Sequence, residues 1–73
     1  MRAERLVTMA NDIGTFFNAE ADKAVAAQGV ANHIKRYWDP RMRREIVAHY
    51  REGGGAGLDP VARSAVALLA TSA

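Results

Sequence analysis

The chain has 73 residues, ten basic and eight acidic, with no cysteine. Disulfides, iron–sulfur ligation and thiolate zinc sites are therefore excluded. A net charge of +2 is too mild to demand nucleic acid or an anionic membrane. No apolar run approaches the ~18 residues of a membrane span, and the start, with Arg2, Glu4 and Arg5, lacks the continuous apolar stretch of a secretory signal. A soluble, cytoplasmic protein is expected, with no membrane partner.

Size sets a further expectation. Folding such a chain buries apolar surface worth on the order of 105 kcal/mol, against about 110 kcal/mol for ordering it. The two terms nearly cancel, so a lone monomer is marginal and a partner chain is expected. The whole of 1–73 is read as one domain.

Fifteen alanines and few β-branched residues favour helix. Leu6, Met9, Ile13, Phe16 and Phe17 draw one stripe, which predicts a first helix over 2–18. Gly14 lies beside the stripe, either a cost of ~1 kcal/mol relative to alanine or a place where another helix comes close. After a turn, Asp22 is a candidate N-cap for a second helix over 22–38. Its predicted inner face is Val25, Gly29, Val30, His33, Ile34 and Tyr37, with Ala26, Ala27 and Ala31 beside it.

Asp39-Pro40 is the clearest punctuation. Proline disfavours α for the residue before it, so the chain bends at Trp38 and Asp39. Pro40 then opens a third helix over 40–51, capped by Asp39, with the stripe Met42, Ile46, His49 and Tyr50. The glycine-rich stretch 53–57 ends it and reads as a flexible connector. A phosphate cradle needs a helix N-terminus and usually a lysine nearby, whereas this stretch follows a helix, contains no lysine and precedes Leu58. Asp59-Pro60 repeats the start signal for a fourth helix over 60–70, with Val61, Ala65, Leu68 and Leu69 as its stripe. The tail Thr71-Ser72-Ala73 reads as frayed. The fold class expected is all-α, a small orthogonal bundle of about four short helices.

Little here suits catalysis. His33 and His49, the only histidines, are sixteen positions apart on different helices, and the acidic residues are scattered singly. That is no metal-ligand spacing. No hydroxyl sits in a strand–turn–helix elbow, and Glu20 and Asp22 look like exposed turn residues. Neither a catalytic, a cofactor nor a metal site is expected in this chain, which is not an enzyme alone.

The distinctive stretch is Tyr37-Trp38-Asp39-Pro40-Arg41-Met42-Arg43-Arg44. It holds the only tryptophan, and six of the ten basic residues lie between positions 35 and 51. A solvated basic face would explain the charges but not the tryptophan. A helix-turn-helix-like DNA-binding regulator is an alternative, with Arg41 and Arg44 reaching phosphates or guanine edges; the mild net charge and the absence of a basic arm oppose it. A protein interface is preferred, because tryptophan and arginine dominate interface hot spots and arginine pairs with carboxylates in bidentate fashion. Tyr37, Trp38, Pro40, Arg41, Met42, Arg43 and Arg44 are the expected partner-binding residues.

The pattern Leu6-Val7-x-Met9-Ala10-Asn11-x-Ile13-x-x-Phe16-Phe17, then His33-Ile34-x-x-Tyr37-Trp38-Asp39-Pro40-Arg41-Met42-Arg43, then Gly57-Leu58-Asp59-Pro60, resembles the delta subunits of bacterial NAD-dependent formate dehydrogenases. The resemblance covers about 5–70. It implies an accessory subunit of a cytoplasmic complex that oxidises formate to carbon dioxide and reduces NAD⁺. The family's alpha subunit is expected to hold a molybdenum or tungsten pterin, and the beta and gamma subunits FMN and iron–sulfur clusters. The delta chain itself is expected to hold no cofactor and to dock on the alpha subunit.

Overall fold

A computed structural model describes residues 2–71 of the chain. They form four α-helices in succession: α1 Ala3–Phe17, α2 Lys23–Tyr37, α3 Pro40–Gly53 and α4 Pro60–Thr71. No strand occurs among the described residues, so the fold is all-α. Helix α3 runs two residues beyond the expected end. Thr71, read above as part of a frayed tail, closes α4 with its hydroxyl donating to the Leu68 carbonyl at 3.1 Å; Ser72 and Ala73 lie outside the described residues.

The helix starts are made by short polar side chains. The Asp22 carboxylate accepts from the backbone N–H groups of Ala24 (2.9 Å) and Val25 (3.4 Å). The Asp39 carboxylate accepts from Met42 N–H at 2.9 Å, and Pro40 occupies the first turn. Each satisfies donors that the helix geometry leaves open. Between α2 and α3, Trp38 and Asp39 are extended (φ −86°, ψ 141° and φ −72°, ψ 164°), as the following proline requires. The α1–α2 turn is closed by Lys23. Its Nζ donates to the Asn18 carbonyl (2.8 Å), the Asn18 side-chain oxygen (3.1 Å) and the Glu20 carbonyl (3.0 Å). A cation here offsets the partial negative charge at the end of α1.

Helix α2 lies against α1 and α4, and α4 also meets α3. The core gathers Leu6 and Ala10 from α1, Val30, Ala31 and Ile34 from α2, Trp38 from the corner, Ile46 from α3, Leu58 from the loop, and Ala62, Ala65 and Val66 from α4. Small residues therefore line much of the α2–α4 contact, and they let the two axes approach closely.

The buried faces are turned from the predicted stripes. Phe16 is 77% exposed, while Phe17 packs partly into the core. Consecutive residues lie 100° apart on a helix, so one face cannot take both rings. On α2 the alanines at 26, 27 and 31 are buried, whereas Val25 and Tyr37 are exposed. On α4, Ala62 and Val66 are inside and Leu68 is exposed.

Two glycines of the helices have opposite demands. A Cβ at Gly29 would fall 2.6 Å from the Phe17 ring, so the ring can hold this place against α2 only because position 29 is glycine. A Cβ at the buried Gly14 would meet the Ala62 Cβ at 3.6 Å, an ordinary van der Waals contact. The helices α1 and α4 do come close here, yet with room for a methyl group. Gly14→Ala will raise stability by about 0.5–1 kcal/mol by restricting the unfolded chain and filling the contact. Urea denaturation followed by circular dichroism checks this; a lower midpoint would contradict it.

The glycine-rich connector is tied down rather than loose. Gly54, Gly55 and Gly57 have positive φ. Gly54 N–H donates to the Tyr50 carbonyl at 2.8 Å, ending α3 in the left-handed conformation that only glycine adopts without strain. Leu58 N–H donates to the Gly55 carbonyl at 3.0 Å, which turns the Leu58 side chain inward. His49 Nε2 lies 2.8 Å from the Ala56 carbonyl and must carry the hydrogen, because a carbonyl only accepts. From α1, the Asn11 amide donates to the Gly57 carbonyl (2.9 Å) and accepts from Asp59 N–H (2.8 Å). One side chain thus satisfies both an acceptor and a donor in the turn before α4. Asn11→Ala will cost about 1–2 kcal/mol, the scale of two partly exposed hydrogen bonds. Faster hydrogen exchange at the Asp59 amide will accompany it; unchanged exchange there would show that the bond is not what holds the turn.

Candidate functional site

The residues expected to dock a partner sit around the α2–α3 corner, and the fold sorts them into three kinds. Trp38 is 5% exposed and belongs to the core. Its indole closes the bundle under the corner, where the extended backbone at 38 turns the ring inward. Met42 packs partly against the same core. Tyr37, Pro40, Arg41 and Arg44 are exposed.

Arg43 takes a structural part. Its Nη1 donates to the Lys35 carbonyl at 3.0 Å and the Trp38 carbonyl at 2.8 Å. These are among the carbonyls at the C-terminal end of α2, where intrahelical donors run out. The guanidinium therefore locks α3 to the end of α2 and fixes the corner. The exposed Tyr37 ring, 67% accessible, is flanked by the His33 ring with centroids 4.7 Å apart and by the Arg36 guanidinium 5.7 Å from its centroid. The result is an aromatic and cationic edge: Tyr37 and Arg36 on α2, Arg41 and Arg44 on α3.

Two clefts flank this frame. One, about 450 Å³, lies between the end of α1 and the start of α4. Its hydroxyls are Thr15 and Ser64, no histidine lines it, and Thr15 Oγ1 already donates to the Asn11 carbonyl at 3.0 Å. A nucleophile is activated by a base within hydrogen-bond reach, and the Thr15 hydroxyl is bonded to a backbone carbonyl instead. The other, about 710 Å³, is an open trough between α3 and α4 bordered by basic residues. Sequence reasoning missed this trough and the part played by Asn11. The i, i+3, i+4, i+7 spacing of Arg44, Val47, Ala48 and Arg51 could have revealed the former.

The fold and its surface define a small all-α protein with a basic, aromatic-edged corner locked from within. Residues 5–66 match the family described as "NADH-dependant formate dehydrogenase delta subunit FdsD". The chain belongs to this delta-subunit family, and the other subunits of the dehydrogenase are its partners. No curated protein and no solved structure matches it. The family's complex carries redox chemistry, and this chain offers no thiolate to ligate an iron–sulfur cluster. Cysteine is absent, and among the described residues no group of three or more His, Asp or Glu could hold a metal ion. No helix among them is long and apolar enough to cross a membrane.

Proposed function

We propose that this chain is a non-catalytic accessory subunit that stabilises or helps assemble a cytoplasmic NAD-dependent formate dehydrogenase. The observation that carries the reading is the family match over 5–66. The alpha subunit is the proposed docking partner, with beta and gamma subunits in the same complex. Those chains hold the molybdenum or tungsten pterin, the iron–sulfur clusters, FMN and the NAD site. Tyr37, Pro40, Arg41 and Arg44 form the contact surface; Trp38, Met42 and Arg43 hold it in shape from beneath. Arg41 and Arg44, three apart, are neighbours on the helix surface and suit one carboxylate-rich patch.

The test is expression of the dehydrogenase subunits with and without this chain, followed by native mass measurement and formate-dependent NAD⁺ reduction. With the chain present, a complex containing it will be found in greater yield. Turnover per assembled complex will be nearly the same in both preparations. A drop of a hundredfold or more per assembled complex, the scale of losing a general acid or base, would make the chain part of the catalytic machinery. Absence of the chain from every complex, together with salt-sensitive binding to duplex DNA, would favour a regulator instead.

A further inference from the structure

Arg44, Val47, Ala48 and Arg51 recur at i, i+3, i+4 and i+7, so they share one face of α3. That face forms one wall of the α3–α4 trough, with Leu69 opposite on α4. Val47, Ala48 and Leu69 make an apolar floor, all three only partly covered. Around it stand Lys35, Arg43, Arg44 and Arg51, against a single acid, Glu52.

Two of these cations are held in place by the fold. Arg43 is anchored on the Lys35 and Trp38 carbonyls, and Arg51 Nη2 donates to the Ala70 carbonyl at the end of α4. Each guanidinium is fixed through one nitrogen and keeps further N–H donors for a carboxylate. Less side-chain freedom is then lost when a partner binds.

We propose that this trough receives an acidic amphipathic helix from a neighbouring subunit of the dehydrogenase, an inference that rests on the subunit reading above. An apolar side chain of that helix seats on Val47, Ala48 and Leu69. Carboxylates two turns apart meet Arg44 and Arg51, whose positions on α3 are separated by about 10.5 Å along the axis. Charge complementarity selects the occupant. A phosphate backbone would meet the same cations but gains nothing from the apolar floor of Val47, Ala48 and Leu69. A second copy of this chain presenting its own α3 would bring Arg41, Arg43, Arg44 and Arg51 along with Glu45 and Glu52, and so adds like charge to a basic trough.

The experiment uses the co-expressed complex. Ala48 is replaced by the photoreactive residue p-benzoylphenylalanine, and cross-linked peptides are identified by mass spectrometry. In parallel, retention of the other subunits on the tagged chain is compared for wild type, Lys35→Glu/Arg44→Glu, and Arg2→Glu/Arg5→Glu, which makes the same charge change on exposed positions at the start of α1. The expected result is a cross-link to an Asp- and Glu-rich segment of another subunit. Retention falls roughly tenfold or more for Lys35→Glu/Arg44→Glu, while the α1 control stays near wild type. A cross-link to a neutral or basic segment, to a second copy of this chain or to nucleic acid overturns the proposal. So does the absence of any cross-link in a complex that contains the chain, or undiminished retention of the trough variant. Equal losses in both double variants would show net charge rather than the trough at work, and also overturn it. Should the trough variant unfold, as circular dichroism would reveal, the cross-link decides alone. A wild-type chain that retains no dehydrogenase subunit overturns the subunit reading itself.

Discussion

Trp38→Ala will lower the stability of the isolated chain by about 3–5 kcal/mol, the usual range for deleting a buried large aromatic side chain. Trp38 is 5% exposed and shares the core with Leu6, Ile34, Ile46 and Val66. The bend at Asp39-Pro40 prevents the backbone from collapsing into the hole. A domain of this length loses roughly 4–8 °C of Tm per kcal/mol, so the variant will melt at least about 12 °C lower or show no cooperative transition. Trp38→Phe retains a ring and will lose less. A tryptophan acting only as a docking anchor would behave otherwise: the Ala variant would fold normally and fail only in the complex. A thermal melt within about 5 °C of wild type would therefore return Trp38 to the interface and contradict its placement in the core.

Arg43→Ala will cost about 2 kcal/mol, because hydrogen bonds to a charged donor contribute about 1.5–3 kcal/mol and the site is partly open to solvent. The change removes the bonds to the Lys35 and Trp38 carbonyls and leaves the end of α2 without that cap. Arg43→Lys will recover only part of the loss, since an ammonium is a point donor on a thinner stem and does not reproduce the planar fork. Urea denaturation measures the difference, and 1 M salt tells the two possible origins apart. A contribution from long-range charge would vanish in salt, whereas this short contact will persist. A loss below about 0.5 kcal/mol, the range of ordinary surface changes, would show that the corner holds without the guanidinium. Because Arg43 and Trp38 meet through the Trp38 carbonyl, their effects will not add.

Asp22, Asp39, Pro40 and Gly54 announced where helices begin and end, and each acts there through contacts within a few residues. The same local character made the Tyr37–Arg44 stretch legible as the candidate site, and its resemblance to the delta-subunit family agrees with the match over 5–66. What the stretch does not reveal is which side chains face outward. Its eight consecutive positions can be read equally as anchors or as core until the corner's rotation is known.

That rotation is a tertiary property. The apolar pattern of α1 admits Phe16 or Phe17 on the inner face, and it is Phe17 that packs there, where Gly29 on α2 leaves room for its ring. On α2 the alanines outcompete Val25 and Tyr37 for the interior, because burying small residues lets α2 and α4 approach closely while larger side chains would hold them apart. Asn11 gives no local sign of its role, since Gly57 and Asp59 lie more than forty positions away and meet it only after α1 and α4 are in place. Composition, capping and family likeness are carried by neighbouring residues and are readable in one dimension. The facing of each helix, the inward Trp38 and the trough between α3 and α4 depend on contacts between distant segments, and packing alone decides them.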